Sequence, residues 1–296
     1  MTTKNERRRQ ARERAREARE SARRREHRAK FLIRSGIVIA VVGVATVVAL
    51  AVATSVRPPG PGPRNMAGDG VRISTGLHAE RSPARAVDAP PVSPPTTPTT
   101  PGKGEPLEIR VYLDFLCPAC GAFEKTNGDY LERLARSGRA VIDYHALSIL
   151  DQASARSRYS TRSAAAAACV ADLEPDSFFV AVRALFGAQP AEGTTGPDNR
   201  ALASTLVGAT AVIDDSGAAH ASRLTTCIVD GTFTDWVGAS TERALRGPLP
   251  GTDVERVTAT PTVVIDGTIF APGDGSLESR LVDRYGESFS MAALTS

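Results

Sequence analysis

The most apolar stretch of the chain lies near its N-terminus, at residues 35–56. These 22 residues carry no charge and are rich in Val, Ala, Ile and Gly. As a helix they would extend about 33 Å, enough to cross the hydrocarbon core of a bilayer. The alternative is a cleaved signal peptide, cut at residues 51–53. The charged and apolar regions of signal peptides, however, are usually shorter than those of this segment. The pattern therefore predicts an uncleaved transmembrane signal anchor.

Residues 1–34 form a basic arm in front of this segment. They contain 14 basic and 5 acidic residues, a net charge of +9, whereas the rest of the chain has 22 basic and 28 acidic residues, a net charge of −6. Because basic flanks of a transmembrane helix stay in the cytoplasm, the N-terminus is expected there and the remainder outside. The arm has no apolar face to bury, so a solvated cytosolic helix or disordered arm is expected. Contact with anionic lipid is the alternative, and the acidic remainder gives no indication of nucleic-acid binding.

Residues 57–106 are rich in proline and poor in large apolar side chains. They contain 12 of the chain's 20 prolines, and residues 94–101 are Pro-Pro-Thr-Thr-Pro-Thr-Thr-Pro. This composition is typical of a semi-rigid spacer, which as a flexible coil would span about 40 Å. The sequence thus predicts a disordered linker at 57–106 and a folded domain at 107–296.

Short β-favouring runs occur at both ends of the predicted domain. Residues 108–115 and 140–147 are predicted as two early strands, and residues 262–266 as a later, β-branched strand. The pair Asp266-Gly267 is a hairpin signal, after which residues 268–270 return. His145, in the second strand, is expected to be structural because it has no paired partner in sequence.

Between the two groups of strands the pattern becomes helical, over about residues 153–249. One helix is predicted after the first strand, at 123–136, and another closes the domain at 276–285. Five helices are predicted in the inserted block, at residues 159–173, 175–186, 199–208, 214–229 and 232–246. Trp236, in the last of these, is expected in the core. The domain is therefore predicted as an α/β fold with an inserted helical subdomain.

Two cysteines separated by two residues, Cys117 and Cys120, follow the first strand. A thiol attacks a disulfide only as its thiolate, and a free cysteine has a pKa of about 8.5. At the start of a helix, unpaired N–H groups and the helix dipole stabilise a thiolate, and Pro118 suits the first helical position. Cys120 lies one turn later on the same face. Cys117 is therefore predicted as the nucleophile, and Cys120 as the thiol that resolves a mixed disulfide.

Two neighbouring cysteines can also serve as zinc ligands or as an inert disulfide. A zinc site needs a second pair at similar spacing, whereas the remaining cysteines, Cys169 and Cys227, are far apart. No metal is therefore expected, and an inert disulfide between Cys117 and Cys120 is the other alternative. Cys169 and Cys227 are predicted to form a structural disulfide between two helices, since a relay dithiol would need closer spacing.

Two motifs resemble those of the DsbA-type thiol–disulfide oxidoreductases of the thioredoxin superfamily. The first is Asp114-Phe115-Leu116-Cys117-Pro118-Ala119-Cys120 followed by Phe123-Glu124. The second, where the superfamily has a cis-proline before a strand, is Ala259-Thr260-Pro261-Thr262-Val263-Val264-Ile265-Asp266-Gly267. The resemblance covers about residues 107–285 and implies a thioredoxin fold that carries the helical insertion.

The resemblance also implies roles for individual residues. Cys117 is the exposed attacking thiol, Pro261 packs against the disulfide, and Thr260 presents its backbone to a bound peptide. Glu124 matches a buried acid that moves a proton to or from the resolving cysteine. The expected substrate-binding residues are Pro118, Ala119, Thr260 and Pro261. One position departs from the best-known oxidases, which carry histidine where this chain has Ala119, and the cationic partner of the thiolate is therefore missing.

These features together predict a membrane-anchored, extracytoplasmic oxidoreductase that introduces disulfides into exported proteins with free thiols. Re-forming the Cys117–Cys120 disulfide after each exchange needs a separate oxidant, and the resemblance implies a quinone-linked membrane oxidase. The protein itself is expected to hold no cofactor. Three alternatives remain open. The same dithiol can serve a reductase or isomerase, the cleft can serve a non-redox peptide-binding module or chaperone, or the domain can be a peptide-binding subunit of a cell-wall assembly.

Overall fold

The computed structural model describes residues 43–46, 60–92, 105–211, 217–271 and 275–294. The chain divides into two units, Met1–Pro58 and Pro59–Ser296. In the first unit, residues 43–46 are helical; the basic arm and the rest of the predicted anchor lie outside the described residues. None of the helices in the described part of the chain combines the length and hydropathy needed to cross a bilayer.

A six-stranded sheet forms the centre of the second unit. Its strands are β1 (Val71–Ser74), β2 (His78–Ala79), β3 (Leu107–Leu113), β4 (Ala140–Ala146), β5 (Thr262–Ile265) and β6 (Thr268–Phe270). Their order across the sheet is β2-β1-β4-β3-β5-β6, with β3 and β4 parallel and the other neighbours antiparallel. All seven residues of the central strand β3 are buried, as expected for a strand covered on both faces.

Seven α-helices are present in the described residues of the second unit. They are α1 (Pro118–Arg136), α2 (Tyr159–Leu173), α3 (Phe178–Gly187), α4 (Asn199–Thr210), α5 (Gly217–Val229), α6 (Thr234–Arg246) and α7 (Leu277–Tyr285). Helices α2 to α6 lie between β4 and β5 in the chain. The mixed α/β architecture with helices inserted before the last two strands is confirmed.

The two faces of β3 pack against different layers. Ile109, Val111 and Leu113 belong to the main core, which also contains Leu131 and Leu134 of α1. Tyr112, on the opposite face, belongs to a second cluster with Ala244 of α6 and with Leu249 and Val264. Alternate side chains of one strand thus hold α1 on one side of the sheet and the end of α6 on the other.

Charged side chains are buried on this second face of the sheet. Arg110 pairs with Glu108 at 2.6 Å. The Nε2 atom of His145 lies 3.2 Å from Asp143 Oδ2, and its ring stacks on Tyr112 with 4.3 Å between centroids. Because the charged groups on this face are desolvated, each depends on its partners. His145 therefore lies within a buried cluster of polar and charged side chains, in contact with Asp143 and Tyr112.

A disulfide joins the inserted helices α2 and α5. Cys169 and Cys227 are bonded, with 5.9 Å between their Cα atoms, and Cys169 is fully buried. The predicted pairing is therefore present, and it closes a loop of 58 positions.

The predicted extent of the linker is wrong, because residues 60–92 belong to the folded domain. Ile73 of β1 is buried and faces Ile142 of β4. The Asp69 carboxylate accepts hydrogen bonds from the Nε and Nη2 atoms of Arg243, at 2.7 Å each. The backbone of Gly62 lies so close to the buried ring of Trp236 that a side chain there would collide with it.

The sequence pattern does not predict the fold of residues 60–92, and the reason is physical. Strand β1 has only four residues, too few to establish an alternation among the surrounding prolines and glycines. Its pairing with β4 and the ion pair of Arg72 with Glu108 are made with residues far along the chain, which local periodicity does not report. The Thr/Pro-rich stretch at 94–101 lies outside the described residues.

Candidate active site

The two neighbouring cysteines lie where β3 gives way to α1. Cys117 is the N-cap of α1, with φ −68° and ψ 116°, and Pro118 is the first helical residue. The Cys117 N–H donates to the Asp114 carbonyl at 3.0 Å, and the Cys117 carbonyl accepts from the Cys120 N–H at 3.0 Å. The residue types match these positions, since proline has no N–H to leave unpaired at the first turn. The first turn therefore brings both sulfurs to the same end of the helix.

The two sulfurs differ in accessibility, although neither is bonded to the other. Cys117 is 7% exposed and Cys120 is 1% exposed, while Pro118 and Ala119 between them are exposed. An incoming thiol can therefore reach Cys117 first and meets the surface of Pro118 and Ala119 beside it.

The second sequence motif lies against the dithiol. The Thr260–Pro261 peptide bond is cis, and Cys117 Sγ lies 3.2 Å from the Thr260 carbonyl oxygen, to which it donates when it is protonated. Strand β5 begins directly afterwards, with Thr262 opposite Tyr112 of β3. The antiparallel pairing of β5 with β3 is what carries residues 260–261 to the start of α1. Two motifs 143 positions apart thus form one site.

The electrostatic environment separates the pKa values of the two thiols. A hydrogen bond from Cys120 lowers the pKa of Cys117 to about 5, and the backbone N–H groups of Cys120 and Ala119 act in the same direction. The pKa of Cys120 is raised strongly, first by this bond to Cys117 and then by burial. Cys117 is thus the sulfur that exists as a thiolate near neutral pH, while Cys120 keeps its proton.

Glu124 is buried on α1, one turn after Cys120. Burial raises its pKa to about 7, although the positive charge of Arg183 and a hydrogen bond from Tyr144 oppose the shift. The Tyr144 hydroxyl lies 3.4 Å from Glu124 Oε2, while Oε1 is buried without a hydrogen bond to the described residues. A side chain at Gly128 would collide with this carboxyl. Glu124 can therefore gain or lose a proton near neutral pH, and the Tyr144 hydroxyl is its hydrogen-bond partner.

Replacing Glu124 with glutamine should change how stability depends on pH. The folded state holds the Glu124 proton more tightly than the unfolded chain, so its contribution is complete below about pH 4.5 and is lost as the pH rises through about 7. Urea unfolding at pH 4 and pH 8 gives the free energy of unfolding of both proteins. From pH 4 to pH 8 the wild type should lose up to about 3 kcal/mol more of this free energy than Glu124→Gln does. The same change at Glu242, an exposed glutamate on α6, is the control. Parallel pH profiles for wild type and Glu124→Gln would contradict the prediction.

Two residues that hold the dithiol loop were not assigned a role from the sequence. Asp114 is fully buried, and its carboxylate accepts the N–H groups of Leu116 and Leu150, each at 2.9 Å; burial raises its pKa. Gln189, just after α3, donates to the carbonyls of Phe115 and Cys117. An aspartate two residues before a backbone N–H is a recognisable turn signal. Nothing in the sequence points from Gln189 to a loop 72 positions away.

Comparisons with known proteins agree with this geometry. A family model described as "Thioredoxin" matches residues 97–283. The oxidised DsbA of Mycobacterium tuberculosis is 30% identical with a TM-score of 0.52, covering 76% of this chain and 98% of that chain. The reduced disulfide bond oxidoreductase DsbG of the same organism is 29% identical with a TM-score of 0.52, covering 80% of this chain and 97% of that chain.

A further similarity is confined to part of the chain. The serine/threonine-protein kinase PknE of Mycobacterium tuberculosis is 33% identical over 90 residues, which are 29% of this chain. This chain spans only 16% of the kinase's length. The family model and the DsbA structure, in contrast, each cover more than half of the chain. The chain therefore belongs to the thioredoxin family and, within it, is a DsbA-type thiol–disulfide oxidoreductase.

Proposed function

We propose that this oxidoreductase introduces disulfides into exported proteins through Cys117 and Cys120, from a domain held outside the cytoplasm by the anchor at residues 35–56. The observation that carries the proposal is the pair of unequal thiols beside the cis-proline segment. The more accessible sulfur has its pKa lowered to about 5, and the deeper one keeps its proton.

The exchange begins with the Cys117–Cys120 disulfide formed. A substrate thiolate attacks Cys117 Sγ, the Cys117–Cys120 bond breaks, and the Cys120 sulfur leaves with the electron pair and takes up a proton. A second substrate thiolate then attacks the substrate sulfur of the mixed disulfide, and Cys117 leaves as a thiolate. The substrate loses two electrons to the enzyme and gains a disulfide. Of the two protons it loses, one is balanced by the proton that Cys120 takes up and the other goes to solvent, so the enzyme is left with Cys117 as a thiolate and Cys120 as a thiol.

The geometry supports roles for the neighbouring groups in these steps. The Thr260 carbonyl and the exposed surface of Pro118 and Ala119 adjoin Cys117 and would receive the substrate peptide, with Pro261 fixing the turn beside it. Glu124, whose pKa of about 7 suits proton transfer, would supply the proton that Cys120 takes up. Its position on α1, one turn after Cys120, supports this role.

The direction of exchange follows from the stability of the reduced form. A leaving group of low pKa departs readily, and a stabilised Cys117 thiolate favours the reduced enzyme. The disulfide is therefore expected to be oxidising even though Ala119 supplies no positive charge, because hydrogen bonds do the stabilising. A separate membrane oxidase would re-form the disulfide after each turnover.

The reduction potential tests this direction. Equilibration with glutathione buffers should give a potential of about −120 to −180 mV, in the range of strong oxidases and isomerases. A potential near that of thioredoxin, about −270 mV, would overturn the oxidase assignment and favour a reductase. Replacement of Cys117 and Cys120 together by alanine is the control for any exchange through other cysteines.

The proposed location rests on the charge and hydropathy of residues 1–56. The disulfide between Cys169 and Cys227 supports an oxidising compartment for the domain, and the anchor would contact membrane lipid. Protease added to spheroplasts of an expressing bacterium should digest the domain and leave a tag at residue 1 intact. Digestion of the tag with protection of the domain would overturn the location.

A further inference from the structure

Gln189 reaches the dithiol loop from a different part of the fold. It lies two residues after α3, where its N–H donates to the Phe186 carbonyl at 3.2 Å. Its side-chain Nε2 donates to the Phe115 carbonyl at 3.0 Å and to the Cys117 carbonyl at 2.9 Å. Both partners are acceptors only, so the nitrogen side of the amide must face them. One half-buried side chain thus holds the chain on both sides of Leu116.

Gly121, the residue after the second cysteine, leaves the space through which this amide passes. A Cβ atom at Gly121 would clash with Gln189 Oε1 and would lie 3.2 Å from its Cδ. Glycine inside a helix is unfavourable relative to alanine, and Gly121 lies within α1. The close approach of Gln189 gives this unfavourable choice a physical reason.

We propose that Gln189, admitted by Gly121, is a positioning residue that fixes the loop before α1 and so sets the reactivity of the Cys117 sulfur. The N–H groups of Ala119 and Cys120 stabilise the Cys117 thiolate, and the Cys120 N–H also donates to the Cys117 carbonyl at 3.0 Å. Gln189 holds that carbonyl and offsets its negative charge next to the sulfur. The buried Asp114 carboxyl interacts with Cys117 through its charge and acts in the opposite direction, since negative charges disfavour each other.

Replacing Gln189 with methionine tests the proposal, because methionine keeps the length and lacks the donors. Both donors that hold the Phe115 and Cys117 carbonyls are lost, so the pKa of Cys117 should rise by about one unit. The thiolate absorbance at 240 nm of the reduced protein reports this pKa. The equilibrium constant with glutathione should shift about tenfold toward the disulfide form, about 30 mV. The matched control is Gln152→Met, at an exposed glutamine.

An unchanged Cys117 pKa and potential in Gln189→Met, compared with wild type and Gln152→Met, would overturn the proposal. A merely structural role would lower thermal stability without moving the pKa, which also counts against it. The proposal rests on the proposed dithiol chemistry, but the absorbance measurement does not require turnover. If wild type fails as an oxidase and the pKa still shifts, only the proposed function is lost.

A double-mutant cycle tests whether Gly121 and Gln189 act together. Gly121→Ala should favour the helix and yet raise the pKa of Cys117, because the new methyl group displaces the amide. In the Gln189→Met background the same change should add nothing, since there is no longer an amide to displace. Additive effects of the two substitutions on the pKa would overturn the pairing of Gly121 with Gln189.

Discussion

Cys117→Ser should abolish thiol–disulfide exchange, lowering its rate by at least about 10³-fold, as expected when a covalent nucleophile is removed. Serine is close in size, but its hydroxyl neither ionises near neutral pH nor forms a disulfide. The Cys117 sulfur that is removed is the more accessible of the two thiols, and its pKa is lowered to about 5. The measurement is the rate at which the oxidised protein converts a reduced dithiol peptide to its disulfide.

Cys120→Ala is the matched comparison, and it should fail in a different way. Cys117 remains able to form a mixed disulfide, but the buried thiol that would resolve it is gone. Mixed disulfides with partner proteins should therefore accumulate and disappear on reduction before electrophoresis. If Cys117→Ser keeps wild-type activity in a functional assay, the protein works as a non-redox peptide-binding module and the oxidoreductase mechanism through this dithiol is wrong.

Removal of the disulfide between α2 and α5 should cause the largest loss of stability. Cys169 and Cys227 are separated by 58 positions, and the loop-closure entropy released by replacing both with alanine corresponds to about 4 kcal/mol. Guanidinium unfolding followed by circular dichroism gives the free energy of unfolding. The slope of its dependence on denaturant should rise as well, because the unlinked chain exposes more surface when unfolded.

Replacing Cys117 and Cys120 with alanine provides the control for this experiment. Those two cysteines are unbonded in the structure, so two thiols are removed without the loss of a crosslink. The control should therefore lose much less stability than the Cys169→Ala, Cys227→Ala variant. Equal losses in the two variants would show that side-chain packing, not the closed loop, accounts for the effect.

The sequence alone was sufficient to predict the elements that depend on neighbouring residues in the chain. The cysteine spacing, Pro118 at the first helical position and the Asp266-Gly267 hairpin each depend on neighbouring residues. The inserted helices were predicted close to their observed bounds because their side-chain periodicity is continuous over many residues. The short strands β5 and β6 were predicted because Asp266-Gly267 marks the turn between them. The dithiol and the cis-proline segment could be placed in one site only through resemblance to a family.

The structure alone decided the features that join distant parts of the chain. Residues 60–92 looked like a spacer because β1 is short, yet Asp69 and Arg243 are 174 positions apart and pair in the folded domain. Gln189 reaches Cys117 across 72 positions, and Glu124 meets Tyr144 across the main core. Local patterns report how a segment buries its own side chains, whereas hydrogen bonds between segments depend on the register and packing of the whole sheet. The sequence therefore determined the chemistry of this protein, and the tertiary structure decided which groups hold and tune it.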